Sequence, residues 1–156
     1  MMERAQERDG ISFFQWHKDL GRQSEKWSPG PGGTGTVRYD VDVLNVTQID
    51  KGGISLNDYK AIVLGSATYH GEMLQSMKTF LFLAAKANLG GKAGGAFGAF
   101  AWSEEASWSI FDTMKYIFKM NMVWEPLRLK FADLGYGIKM AQDYGREIAR
   151  KELASA

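Results

Sequence analysis

A chain of 156 residues with 45% hydrophobic and 24% charged residues has the composition of one globular domain with enough material for a core. Its formal net charge of +1 supplies no global field for nucleic acid or an anionic membrane. The absence of cysteine excludes disulfides, thiolate metal sites and a cysteine nucleophile. The charged start MMERAQERDG has no apolar signal segment, and the apolar stretches fall short of a membrane span, so a soluble cytoplasmic protein is expected.

The chain divides into an atypical segment, residues 1–36, and an α/β domain, residues 37–156. Residues 13–36 show no clear period and end in a Pro/Gly cluster, with Ile11–Trp16 as a short strand and Lys18–Lys26 as a poor helix. From Val37 the pattern becomes regular. Val37–Val46 alternates apolar and polar residues as a half-buried strand does, and the short apolar run Ala61–Leu64 reads as a strand buried on both faces. Glu72–Asn88 predicts a helix with Met73, Met77, Phe80, Leu81 and Ala84 on one face, stopped by Asn88-Leu89-Gly90-Gly91. Lys92–Phe100, apolar and glycine-rich, predicts a central strand that another part of the molecule approaches closely.

Ser103 then predicts the cap of a helix with Glu104 and Glu105 in its first turn and Ala106, Ile110, Met114 and Ile117 on its inner face. A further strand is expected over Met122–Phe131. A closing amphipathic helix carries Ile138, Ala141, Tyr144, Ile148 and Ala149. Strict alternation of strand and helix implies a parallel sheet covered on both faces, with right-handed crossovers.

In such sheets ligands bind beyond the carboxyl ends of the strands. Two loops qualify: Ser66-Ala67-Thr68-Tyr69-His70-Gly71 and Ala99-Phe100-Ala101-Trp102-Ser103. Each joins small residues and free backbone amides to a large aromatic, the combination a planar redox ring needs along its polar edge and over its faces. Taken singly, Trp102 reads more readily as a packing residue and His70 as a surface histidine; the pairing of Trp102 with Tyr69 at matching strand ends puts a shared role on an equal footing with packing. Trp16, Trp27, Trp108 and Trp124 read as packing or exposed aromatics, and Arg128 and Lys130 as solvated strand residues.

GSATYHGEMLQSMKTFL resembles the loop and helix after the third strand of flavodoxins. AFGAFAWSEEA resembles the fourth-strand loop, in the version found in the flavodoxin domain of A-type flavoproteins (the flavodiiron proteins) and in small stand-alone flavodoxin-family proteins. This resemblance covers roughly residues 37 to 153. It implies a flavodoxin-like doubly wound parallel sheet and FMN as cofactor. It implies that Ser66, Ala67, Thr68, Tyr69, His70, Gly71, Ala99, Phe100, Ala101 and Trp102 line the flavin, with Tyr69 or Trp102 stacked on the ring. A redox partner protein, reductase or acceptor, would exchange electrons with it. Three positions depart from the family: Ala67 replaces a usual proline and loses rigidity, while Ala101 and Glu104 stand where glycine is common. Strain at Ala101 and crowding by the Glu104 carboxylate are therefore expected.

Three other signals fail. Gly30–Thr36 (GPGGTGT) lacks the lysine of a Walker loop and precedes a strand. The glycines at 91, 94, 95 and 98 do not have dinucleotide-fingerprint spacing, and no His/Asp/Glu cluster has metal-ligand spacing. The hydroxyl-rich loop that holds the FMN phosphate in flavodoxins has no counterpart in residues 1–36, a loss expected to cost several kcal/mol and thousands-fold in affinity. Two readings of that segment stand side by side. It is a divergent terminus, disordered or not, or it is an out-of-frame stretch, since a one-base shift across Phe14–Gly21 permits Ser-Gly-Thr-Arg-Thr-Trp-Glu. Without a first strand the sheet would expose apolar edges, and poor solubility or homodimerisation follows. Two functions therefore stand: an FMN-binding electron-transfer or oxidoreductase domain, and a flavin-free flavodoxin-like scaffold that acts as a protein-interaction module.

Overall fold

The computed structural model describes residues 44–46, 55–130 and 134–155. The expectations for residues 1–36, for most of Val37–Val46 and for Phe131 lie outside the described residues. Val46 is described and buried, but its backbone is helical, so an extended run through Val46 is corrected at that end; Asn45 before it is a residue type that favours helix starts.

Leu56–Asp58 forms a single tight turn ahead of strand β1, Ala61–Gly65. Strand β4, Ala93–Phe100, lies beside β1 in parallel, with Ala61 opposite Ala93 and Gly65 opposite Phe97. On the other edge of β4 run β5, Asn121–Met122, and β6, Leu127–Lys130, both parallel to it. The central place of the glycine-rich strand is as expected. Its glycines are what permit close packing on both faces. A Cβ at Gly94 would stand 2.6 Å from Met122 Sδ, on the side of Met114 and Met120. A Cβ at Gly95 would stand 2.7 Å from Ile148 Cδ1 and 2.9 Å from Tyr144 Cε1, on the opposite side.

Helices α2, Glu105–Asp112, and α3, Leu134–Ser155, therefore cover opposite faces of β4. Helix α1, Gln75–Ala84, connects β1 to β4 and buries Met77, Phe80, Leu81 and Ala84, the predicted face. It starts three residues later than expected. Glu72–Met73, as β3, pairs antiparallel with Thr68–Tyr69, β2, in a small hairpin. Among the described residues no helix is long and apolar enough to cross a membrane.

Two further differences have local causes. The single strand expected over Met122–Phe131 is two short strands, because Pro126, fully buried between them, has no N–H to give the ladder. The side chain of Tyr144 fills the break. Its hydroxyl accepts from Ala96 N at 3.0 Å and donates to Ala96 O at 2.9 Å, satisfying the β4 peptide groups left open between β5 and β6. Ile117, expected inside, is 66% exposed. After Asp112 the helix widens into a π-type turn over Thr113–Ile117, which rotates Ile117 off the face that buries Ile110 and Met114. On α3, Ala141, Tyr144 and Ile148 are buried as expected. Ala149 is half-buried and Ile138 is exposed.

Candidate functional site at the carboxyl edge

β1 ends opposite Phe97, three residues short of the end of its parallel neighbour β4, so the loops that leave them share one edge of the sheet. The first loop is held from within. Ser66 is fully buried; its N–H reaches Phe97 O at 3.3 Å, and its hydroxyl donates to Ala67 O at 2.9 Å while accepting from Leu74 N at 3.2 Å. These bonds supply the rigidity that the alanine at position 67 was expected to lose. His70 and Gly71 turn the β2–β3 hairpin with φ of 50° and 76°, the two positive values of a type I′ turn. Tyr69, 65% exposed, stands edge-on to His70 at 4.2 Å between ring centroids.

The second loop leaves Ala99 and Phe100 half-buried, then exposes Ala101 and Trp102; Trp102 is 98% exposed. Ala101 is not in the left-handed region, so the expected backbone strain is absent there. Ser103 does not cap α2. The N-cap position falls at Glu104, which makes no side-chain cap bond, and the Ser103 hydroxyl near the Glu105 carboxylate holds that carboxyl below its ordinary pKa. The cap comes from the other loop: Thr68 Oγ1 accepts from Ala106 N at 3.3 Å. That bond ties the first loop to the amino end of α2, just past the second loop. Replacing Thr68 with Val is expected to cost about 1 kcal/mol in denaturant unfolding and to speed amide exchange at Ala106, while Thr68→Ser keeps both near the parent.

Glu104 does not crowd the edge. Its carboxylate is drawn to Arg128 Nη1 at 2.7 Å, and Arg128 Nη2 reaches Glu125 at 3.4 Å. The guanidinium also lies over the Trp108 ring, 5.6 Å from its centre. The hydrogen bond that Arg128 donates to Glu104 raises the Arg128 pKa above its ordinary value. Sequence reasoning took Arg128 for a solvated strand residue and missed this pairing. Its partners lie 24 residues upstream and three residues before it, and only the common type of charge pattern could have suggested the nearer one.

All ten sequence-predicted residues thus lie in or beside two linked loops at one edge. Ser66 and Thr68 spend their hydroxyls on the protein itself, whereas Tyr69, His70, Gly71, Ala101 and Trp102 face solvent. A separate open groove of ≈ 250 Å³, lined by Val123, Trp124, Glu147, Arg150 and Lys151, uses none of them. Among the described residues no group of three or more His, Asp or Glu side chains could hold a metal ion.

No protein-family model and no curated protein matches the chain. Solved structures do. A flavodoxin from the domain Archaea is 26% identical with a TM-score of 0.59, over 70% of this chain and 71% of its own. The rubredoxin:oxygen oxidoreductase of Desulfovibrio gigas is 28% identical with a TM-score of 0.50, over 60% of this chain and 24% of its own. A flavodiiron core from Synechocystis is 20% identical with a TM-score of 0.61, over 72% of this chain and 27% of its own. The chain has the flavodoxin-like doubly wound α/β fold. It is similar to flavodoxin and to the flavodiiron proteins, as its loop motifs imply, and it matches about a quarter of the length of the latter.

Proposed function

We propose that the chain is an FMN-binding electron-transfer domain, with the flavin ring seated between the 66–71 and 99–104 loops. The observation that carries this reading is the Thr68–Ala106 hydrogen bond, which ties the first aromatic-bearing loop to the helix end that follows the second, at the carboxyl edge of adjacent parallel strands. The ring side of the group fits the residues present. The positive-φ His70-Gly71 turn brings bare backbone to the edge, and Tyr69 and Trp102 offer uncovered aromatic faces. A phosphate-binding segment would have to come from residues outside those described.

FMN, when bound, supplies the capacity to take up and release electrons. The chain's own part is to hold and screen. Backbone amides of the two loops would bond the polar edge, Tyr69 and Trp102 would exclude water from the faces, and the hairpin turn holds His70 beside Tyr69. No side chain needs to act as acid or base. Electrons would come from and go to a separate protein.

The second reading, a flavin-free scaffold acting in protein contacts, is favoured by the self-sufficiency of the first loop, whose two hydroxyls are both satisfied internally. Titration separates the two. The expected result with FMN is quenching of tryptophan fluorescence, a shifted flavin absorbance and a raised melting temperature. Absence of all three at millimolar FMN would leave the scaffold reading standing.

A further inference from the structure

We propose that Arg128 is a positioning residue for the flavin site, acting through Glu104 to neutralise and orient the loop after β4; this rests on the flavin reading above. Arg128 lies on β6 opposite Gly98, two residues before the end of β4, and reaches across to the amino end of α2. Glu104 is the N-cap residue of α2, yet its side chain makes no cap bond there. Left to itself, a carboxylate at this position would turn toward the positive helix end and the exposed loop beside it. The Arg128 guanidinium instead holds it at 2.7 Å, with the Trp108 ring beneath the cation and Glu125 at 3.4 Å on the other nitrogen.

The ion-paired group of Glu104, Glu125 and Arg128 sums to −1; without Arg128 its two carboxylates sum to −2. A flavin mononucleotide brings its own negative phosphate, so an unpaired carboxylate two residues from Trp102 opposes its binding. The side chains of all three groups are about one-third exposed, so salt screens the effect without abolishing it.

The test is a double-mutant cycle read by FMN affinity in the full chain, with riboflavin as the probe lacking phosphate. R128Q is expected to weaken FMN binding about tenfold at low salt and to weaken riboflavin binding less, and R128K is expected to restore most of the FMN affinity. In E104Q/R128Q the offending carboxylate is gone, and FMN affinity should return to within about threefold of the parent. If R128Q binds as the parent does, or if the double variant is as impaired as R128Q, Arg128 does not act through Glu104 and the proposal is overturned.

Amide exchange of residues 103–106 in the flavin-free protein is the second readout. R128Q should speed it and R128K should restore it. A parent that binds no flavin at all would sink the functional reading. The loop-holding role of Arg128 would then be decided by exchange, and unchanged exchange would remove that too.

Discussion

Replacing Tyr144 with Phe is expected to cost about 3 kcal/mol of folding stability, a fall of about 10 °C in melting temperature for a chain of this size. The ring stays and the packing against Gly95 stays; only the oxygen goes. Among the described residues, that oxygen is the partner of Ala96 N and Ala96 O on the side where β5 has ended and β6 has not begun. Both peptide groups are buried, and each orphaned buried group costs about 1–3 kcal/mol. Burial also pushes the Tyr144 phenol up from its ordinary value, more than its backbone hydrogen bonds bring it down. The sign follows. A group whose pKa is raised by folding gives its full stabilisation below its unfolded pKa, about 10, and loses it as pH rises above that. The parent should therefore lose stability from about pH 10 upward, and Tyr144→Phe should lack that part of the alkaline slope. Denaturant unfolding of the two proteins at neutral pH and above pH 10 checks both parts, and equal stabilities at neutral pH would contradict the bridging role.

The same break in the sheet shows why some of the fold was legible in the sequence and some was not. β1 and β4 could be read because a strand covered on both faces must be apolar throughout, and because glycines in such a strand mark a close approach by something else. What approaches Gly95 could not be read. Tyr144 is 48 residues from Ala96, and its use as a substitute strand residue depends on where Pro126 falls in three dimensions. Of the His70-Gly71 hairpin, β3 falls within the helix expected from Glu72 and the rest within the expected 66–71 loop, since two paired residues on each side leave no period of their own. Ile117 failed because a widened turn breaks the 3.6-residue phase on which the expectation was built.

The site divides along the same line. Its loops were legible as small residues and aromatics after buried strands, a local signal. The bonds that anchor them, Thr68 to Ala106 at the start of α2 and Glu104 to Arg128 on β6, are contacts between distant residues and leave no pattern along the chain.

Gly98→Ala is expected to damage the site more than its size suggests, by about 2 kcal/mol in stability together with a larger loss in flavin affinity. A Cβ at Gly98 would meet Ser66 O at 2.9 Å and Ser107 Cβ at 3.0 Å. Neither can retreat easily. Ser66 is fixed by its bonds to Phe97 and Leu74, and Ser107 sits buried in the first turn of α2 with its hydroxyl on Glu104 O at 2.9 Å. Relief has to come from moving the 66–71 loop or the amino end of α2, and either movement breaks the Thr68–Ala106 link. Gly94→Ala is the control. Its Cβ would meet Met122 Sδ at 2.6 Å and the methyl groups of Met120 and Met114 at 3.1 and 3.3 Å, all flexible side-chain atoms that can be repacked away from the edge. It should lower stability without a matching loss of FMN affinity. Melting curves and FMN titrations of the two variants side by side give the check: the site argument requires that Gly98→Ala, and not Gly94→Ala, lose affinity out of proportion to stability.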